Sequence, residues 1–320
     1  MEDRTMTGAV ITNRFYSYDS LENDVRLRDV LSSFSTLYVT DETLLPLSDA
    51  TVLFSSSADS PSETEKVVSA LVDRGVEGII VIGGDAICSV VASALINKGK
   101  KAEGVVILGY LAGGAGIGPI ARHGLTKESM RSRKRIDALK VESGGSILAY
   151  AFNEVDFSTT FLGSVDGELS DLDAASFLRD GRLVHSVPSG EILTPSFSLS
   201  LNGNVLLTDP GHDIRQISFS PLWQDNLIGR AVFGGLIYST DLKHSAAVAL
   251  ISRITVTGDT SQWNYKGVTT TSHVVFEECD RITLSGLSPS VSAVIDGNPY
   301  RIDGGEVTVS VVPNAVTIVA

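Results

Sequence analysis

Cysteine, basic charge and long apolar runs are all scarce in this sequence, and each scarcity excludes a class of protein. The two cysteines, Cys88 and Cys279, stand far apart among 320 residues, which excludes a disulfide framework and favours a reducing, cytoplasmic location. The net charge of −13 at pH 7 argues against nucleic acid and anionic membranes as partners. No run approaches the roughly 20 apolar residues of a membrane span, and we expect no signal peptide.

Familiar phosphate-binding and metal-binding signatures are missing as well. The sequence has no Gly-Lys-Ser/Thr of a Walker loop, and its first strand–helix unit has no dinucleotide fingerprint. The 5 histidines are scattered without metal-ligand spacing, so we predict no metal site built by protein ligands alone. A nucleotide remains a possible ligand, because backbone N–H groups can bind phosphate in an acidic protein.

The first part of the chain alternates strand and helix patterns. One segment, 78–82, is a continuous apolar run rich in β-branched residues, which is typical of a strand buried on both faces of a parallel sheet. A helix is predicted from Ser60, a good N-cap residue before Pro61, to Arg74. We therefore predict an α/β domain with a mostly parallel sheet over residues 1–135, with strands at 9–12, 36–40, 51–54, 78–82 and 104–108 and a further helix at 86–97.

Beyond residue 135 the pattern changes to short strands separated by Gly, Asn, Asp and Ser. Asn202-Gly203 and Asp296-Gly297 have the chemistry of tight hairpin turns. Residues 136–320 are therefore predicted to form a β-rich, sandwich-like domain, with strands at 146–152, 196–201, 232–238, 254–257, 291–295 and 307–312.

The Gly83-Gly84-Asp85 loop lies where the buried strand ends and a helix begins. Ligands of parallel sheets bind at the carboxyl ends of the strands, and two glycines let a phosphate approach the backbone closely. Asp85 fits a base that takes a proton from an attacking hydroxyl, or an anchor for Mg²⁺. The alternative is a simple strand-to-helix turn in which Asp85 caps the helix.

A second glycine-rich loop, from Gly109 to Gly118, also follows a predicted strand. It contains more glycine than a plain connection requires, including Gly113 and Gly116. Two such loops at one edge of a parallel sheet would form a cleft for an anion or a nucleotide.

Four blocks in the sequence resemble, in order and spacing, those of the NAD kinase family. The first is the Gly83-Gly84-Asp85 loop, a motif that diacylglycerol kinases and phosphofructokinases share, and the second is the loop with Gly109, Gly113 and Gly116. The third leads into Asn153-Glu154, and the fourth runs from Asp180-Gly181 to the Val187–Gly190 segment. The resemblance covers most of the chain from about residue 75 and implies an NAD kinase-like fold.

The resemblance also implies an activity, a set of ligands and a role for each matching residue. The chain would transfer phosphate from ATP, with Mg²⁺, to the adenosine ribose 2′-hydroxyl of NAD. Asp85 would be the general base, and the glycines of both loops would bind the phosphates. The acceptor would be held by Asn153, Glu154, Ser189 and Gly190, and Asp180 would lie at the acceptor site or at a subunit contact. The family resemblance also implies a homo-oligomer, either a dimer or a tetramer.

Two departures from the family pattern leave other functions open. Ala86-Ile87 stands where the family has Gly-Thr, and Glu191 places an acidic group beside the fourth block. A kinase of another hydroxyl acceptor, such as a lipid, a sugar or a nucleoside, is one alternative. A nucleotide-binding sensor without catalytic activity is the other.

Overall fold

The computed structural model describes residues 6–12, 21, 24–40, 42–49, 51–54, 60–111, 118–121, 126, 128–165, 168–186, 192–208, 214–222, 244–251, 271–303 and 305–319. The chain divides into two compact units, one of Met1–Ala138 with Pro313–Ala320 and one of Leu139–Val312. The strands predicted at 232–238 and 254–257 lie outside the described residues. Within those residues, no helix has the length and apolar character needed to cross a membrane.

The first unit contains a five-stranded parallel sheet in the order β5-β4-β1-β2-β3. Apolar side chains of its strands and of the helix Val25–Leu31 form one buried core, and all five residues of Gly78–Ile82 are buried, as predicted for a strand covered on both faces. Its strands are β1 (Met6–Thr12), β2 (Phe34–Val39), β3 (Thr51–Leu53), β4 (Gly78–Ile82) and β5 (Val106–Tyr110), and its helices are α1 (Val25–Leu31), α2 (Pro61–Asp73) and α3 (Asp85–Lys98). Short 3-10 turns occupy Glu42–Leu47, Gly99–Ala102 and Ser129–Arg131.

Helix α2 begins and ends where the sequence predicts. The Ser60 hydroxyl accepts a hydrogen bond from the Glu63 N–H and donates one to the Glu63 carboxylate, a reciprocal capping box. Pro61 is the first helical residue, where its missing N–H costs nothing. The helix ends at Asp73, and Gly75 follows with a φ of +78°.

The second unit is rich in strands, as predicted, and the structure shows that most of them pair antiparallel. One group pairs in the order β12-β11-β16-β19, another in the order β15-β14-β13-β8-β17-β18, and two hairpins join β6 to β7 and β9 to β10. The elements are β6 (Arg133–Ser143), β7 (Ser146–Ala151), β8 (Val155–Ser158), β9 (Thr160–Val165), β10 (Glu168–Asp173), α4 (Ala174–Asp180), β11 (Leu193–Leu201), β12 (Asn204–Leu207), β13 (Gln216–Leu222), β14 (Ser245–Ile251), β15 (Thr271–Glu277), β16 (Arg281–Leu287), β17 (Ser292–Ile295), β18 (Asn298–Arg301) and β19 (Glu306–Val319).

One apolar core joins both antiparallel groups of the second unit. It contains buried side chains from each group, among them Leu199 and Ile282 from the first and Phe157 and Phe219 from the second. The sandwich-like arrangement predicted for this part of the chain is therefore confirmed. The end of β19 leaves this unit and pairs in parallel with β5, at Thr317 and Ile318.

Two hairpin turns of the second unit have the predicted type I′ geometry, in which both central residues have positive φ. Asn202 and Gly203, with φ of +51° and +80°, connect β11 to β12. Asp296 and Gly297, with φ of +45° and +86°, connect β17 to β18.

Candidate functional site

The Gly83-Gly84-Asp85 loop lies at the carboxyl end of β4, the strand whose five residues are all buried. Gly83 has a φ of +155°, a conformation that glycine adopts more readily than other residues. Gly84 is the N-cap of α3 and provides no side-chain capping bond. Asp85 is therefore the first residue of the helix and not its cap, and its half-buried side chain remains accessible to solvent.

The Asp85 carboxylate is held by the far end of the glycine-rich loop. Both of its oxygens accept the backbone N–H of Gly118, at 3.0 and 3.1 Å. The Gly118 N–H therefore orients the Asp85 carboxylate, which remains half-buried and accessible to solvent. This arrangement suits a base that must also receive a hydrogen bond from a substrate hydroxyl.

The two glycine loops meet at the carboxyl edge of the sheet, as the sequence predicts. The Gly83 N–H donates to the Tyr110 carbonyl at 3.0 Å. Gly109, predicted as the first residue of the second loop, instead lies within β5, where it pairs with Val81 of β4. A Cβ atom on Gly109 would lie 1.6 Å from the Ile120 carbonyl oxygen, so only glycine allows the returning chain to pack here. Gly113 and Gly116 lie outside the described residues.

Sequence reasoning missed a further contact at this edge. The Asp24 side chain is the N-cap of α1, where it accepts the N–H groups of Arg26 and Leu27, both at 3.0 Å. Its second oxygen accepts the hydroxyl of Tyr110. An Asp before a helical pattern is a recognisable cap signal, but nothing local in the sequence indicates the Tyr110 contact.

The predicted acceptor residues Asn153 and Glu154 lie together in the connection between β7 and β8. Asn153 is buried and Glu154 is half-buried. The Asp296 carboxylate accepts the backbone N–H groups of Phe152, Asn153 and Glu154, at 2.7, 2.9 and 2.8 Å. The sequence predicts only a turn at Asp296, so this contact is a finding of the structure.

Asp180, another predicted acceptor residue, lies exposed at the end of α4. Its carboxylate pairs with Arg182, with distances of 2.9 Å to Nε and 2.7 Å to Nη2. The side-chain hydrogen bond from Arg182 is the main reason that the pKa of Asp180 falls to about 2. Ser189 and Gly190 lie outside the described residues.

The described residues offer few side-chain ligands for a magnesium ion. The described residues contain no group of three or more His, Cys, Asp or Glu side chains placed to hold a metal. Mg²⁺ usually needs only one or two carboxylates, because substrate phosphates and waters complete its octahedron. In the Gly83-Gly84-Asp85 loop, Asp85 is the side chain that could serve as such a ligand.

Compared by sequence, the chain matches no protein-family model and no curated protein. Compared by structure, it is similar to two structures of a Bacillus anthracis str. Sterne protein assigned as a diacylglycerol kinase, with TM-scores of 0.60 and 0.57. Each is 11% identical, and each comparison covers 99% of this chain and 97% of the other. Yeast NADH kinase, complexed with NADH, gives a TM-score of 0.52 at 12% identity, covering 98% of this chain and 82% of the kinase. The chain thus adopts the NAD kinase-like fold that the sequence blocks predict.

Proposed function

We propose that the protein is a kinase that phosphorylates a hydroxyl group, with the adenosine ribose 2′-hydroxyl of NAD as the acceptor and ATP as the donor. The observation that carries this proposal is the position of Asp85. Its half-buried carboxylate stands at the carboxyl edge of a parallel sheet, beside two glycine loops and the start of α3. This is the position where parallel sheets bind their ligands.

In the proposed reaction, the acceptor oxygen attacks the terminal phosphorus of ATP while its proton passes to the Asp85 carboxylate. A new bond forms between that oxygen and phosphorus, and the bond from phosphorus to the bridging oxygen breaks. ADP leaves with the electron pair of the broken bond. General-base catalysis of this kind contributes about 10²- to 10⁴-fold to the rate.

The remaining elements of the loop edge would bind the phosphates. Gly83 and Gly84 present backbone without a Cβ, and the N-terminus of α3 favours negative charge. We assign Gly109, Gly113 and Gly116 to the same phosphate-binding role, as the family resemblance implies. A magnesium ion bound with the triphosphate would neutralise its charge, and Asp85 is the loop carboxylate that could contact it.

The acceptor would be held by residues of the second unit. Asn153 and Glu154 combine an amide with a carboxylate, which suits paired contacts to ribose hydroxyls. Asp180, Ser189 and Gly190 complete the proposed set. Glu154 is half-buried and Asp180 exposed, so both are accessible to a ligand.

A second candidate is a kinase that acts on a lipid hydroxyl. The similar Bacillus anthracis structures, which are assigned as a diacylglycerol kinase, favour it. Ala86-Ile87, in place of the Gly-Thr of the NAD kinase pattern, counts against NAD as the acceptor. In the structure, Ala86 and Ile87 follow Asp85 in the first turn of α3, so the change alters the side chains next to the proposed base.

The test is an acceptor panel assayed with ATP and Mg²⁺: NAD, diacylglycerol in mixed micelles, a sugar and a nucleoside. We expect NADP from the wild-type protein and a loss of about 10²- to 10⁴-fold in Asp85→Asn. Asp73→Asn is the matched control, because Asp73 pairs with Lys98 on the surface of the same unit. Its rate should remain unchanged.

Two other outcomes of the acceptor panel would lead to different conclusions. Phosphorylation of diacylglycerol, lost in Asp85→Asn, would favour the second candidate. Tight ATP binding without turnover on any acceptor would contradict both candidates and identify a sensor.

A further inference from the structure

The turn between β17 and β18 is hydrogen-bonded to the connection between β7 and β8. Asp296 accepts three successive backbone N–H groups, those of Phe152, Asn153 and Glu154. The Asp296 N–H in turn donates to the Glu154 carbonyl at 3.0 Å. Four hydrogen bonds therefore join one turn residue to a three-residue segment that lies more than 140 positions away in the sequence.

The contact is shielded from water. Asp296 is 4% exposed, Asn153 5% and Phe152 1%. Hydrogen bonds from backbone N–H groups to an ionised acceptor are among the stronger ones in proteins, and burial reduces the competition from water. The carboxylate thus fixes the backbone of the segment from which Asn153 and Glu154 project.

Three successive N–H groups that converge on one point form an anion-binding nest. In this protein the nest is already filled by the protein's own carboxylate. A ligand phosphate could reach those donors only by displacing Asp296, and it would meet the negative charge of Asp296 and Glu154. The segment is therefore suited to the uncharged, hydroxyl-bearing part of a ligand.

We propose that Asp296 is a positioning residue of the acceptor subsite, which fixes the Asn153-Glu154 pair so that it selects hydroxyl groups and rejects phosphate. The inference rests on the proposed function, because it assigns these two residues to the acceptor. It predicts that loss of the Asp296 carboxylate weakens acceptor binding and leaves ATP binding intact.

Asp296→Asn is the most informative variant. Asparagine tolerates positive φ, and Asn-Gly is the preferred pair in a type I′ turn, so the hairpin itself is retained. The new amide group places an NH₂ donor where one carboxylate oxygen now accepts. We expect the KM for the acceptor to rise about tenfold or more and the KM for ATP to remain unchanged.

Asn202→Asp, in the type I′ turn between β11 and β12, is the matched control. Its amide donates to the Asp280 carboxylate at 2.7 Å, so the substitution sets two carboxylates against each other and also costs stability. We expect both KM values to stay as in the wild type. An equal rise of the acceptor and ATP constants in Asp296→Asn, or the same change in Asn202→Asp, would reduce Asp296 to a general stability role.

Two measurements without turnover separate this inference from the kinase proposal. Amide exchange of Phe152, Asn153 and Glu154 should be slow in the wild type and faster in Asp296→Asn. Calorimetry with NAD alone should show weaker binding to that variant. If the wild type binds NAD without phosphorylating it and Asp296→Asn weakens that binding, the kinase proposal fails and the positioning role stands. If amide exchange accelerates while NAD binding is unchanged, the positioning role is overturned.

Discussion

Asp85 and Asp296 are two carboxylates that accept backbone N–H groups from distant parts of the chain, yet their surroundings differ. Asp85 is half-buried, and both of its oxygens accept the Gly118 N–H. Asp296 is 4% exposed, and its oxygens accept three donors. The first carboxylate is accessible to solvent, which suits contact with a substrate. The second is buried and accepts three backbone N–H groups, so it fixes the position of other residues.

In our proposals, the burial of the carboxylate separates the chemical role of Asp85 from the positioning role of Asp296. A sequence motif alone does not make this distinction, because Gly84-Asp85 and Asp296-Gly297 both combine glycine with aspartate next to a strand end.

Gly109→Ala should displace Gly118, whose N–H orients the Asp85 carboxylate. A Cβ at this position would lie 1.6 Å from the Ile120 carbonyl oxygen, so the chain that carries Gly118 must move. Overpacking of this kind costs about 1–3 kcal/mol, and a backbone clash stands at the upper end of that range. Urea unfolding should show a lower midpoint, together with reduced kinase activity.

Gly104→Ala is the control for that substitution. Nothing lies within 4 Å of a Cβ on Gly104, although its φ is +95°. The cost should stay near the roughly 1 kcal/mol of left-handed backbone strain, and activity should be retained. Equal losses of stability in the two variants would contradict the packing role of Gly109.

Asp156 is a third carboxylate of interest, because it is buried and accepts hydrogen bonds from side chains. Its Oδ1 accepts the Ser218 hydroxyl and the Gln216 amide, the latter at 2.8 Å. Ser218→Ala should cost about 1–3 kcal/mol, because a buried acceptor loses a donor. Chemical unfolding at neutral pH gives this free energy directly.

Ser220, two positions along the same strand, provides the matched control. Its hydroxyl is buried, and in the part of the chain that the structure describes it has no hydrogen-bond partner. Ser220→Ala should therefore leave the free energy of unfolding unchanged or raise it. A loss as large as that of Ser218→Ala would show that the strand, and not the Asp156 contact, is the source of the effect.

Asp180 gives the smallest effect, since its ion pair with Arg182 is exposed. The pKa of Asp180 is lowered from 3.8 to about 2, so the pair stabilises the fold above pH 3.8 and that contribution is lost as the pH falls through about 2. In Arg182→Gln, an NMR titration should find the Asp180 pKa back toward 3.8. A midpoint that stays near 2 would contradict the assignment to Arg182.

Local patterns in the sequence were sufficient to predict much of the fold. Ser60 and Pro61 predict the start of α2, the run 78–82 predicts a buried parallel strand, and the two Gly-containing turns predict their hairpins. In each case the structure depends on residues within a few positions of one another. Such patterns are visible without knowledge of the tertiary structure.

Contacts between distant residues could not be predicted in the same way. The Gly118 bond to Asp85 spans 33 positions, and the Asp296 bonds to Phe152, Asn153 and Glu154 span 142 to 144. No periodicity marks a carboxylate that will meet a backbone N–H so far away. The return of Pro313–Ala320 to the first unit could not be predicted for the same reason. Its sequence pattern indicates a strand but not that this strand pairs with β5.

The different roles of Asp85 and Asp296 are tested most directly by steady-state kinetics of Asp85→Asn and Asp296→Asn, with ATP and the acceptor varied in turn. A base acts in the transition state, so Asp85→Asn should lower kcat by about 10²-fold or more and leave the acceptor KM nearly unchanged. A positioning residue acts on binding, so Asp296→Asn should raise the acceptor KM and leave kcat nearly unchanged. The same change in kcat and KM in both variants would contradict the separation of a base from a positioning residue.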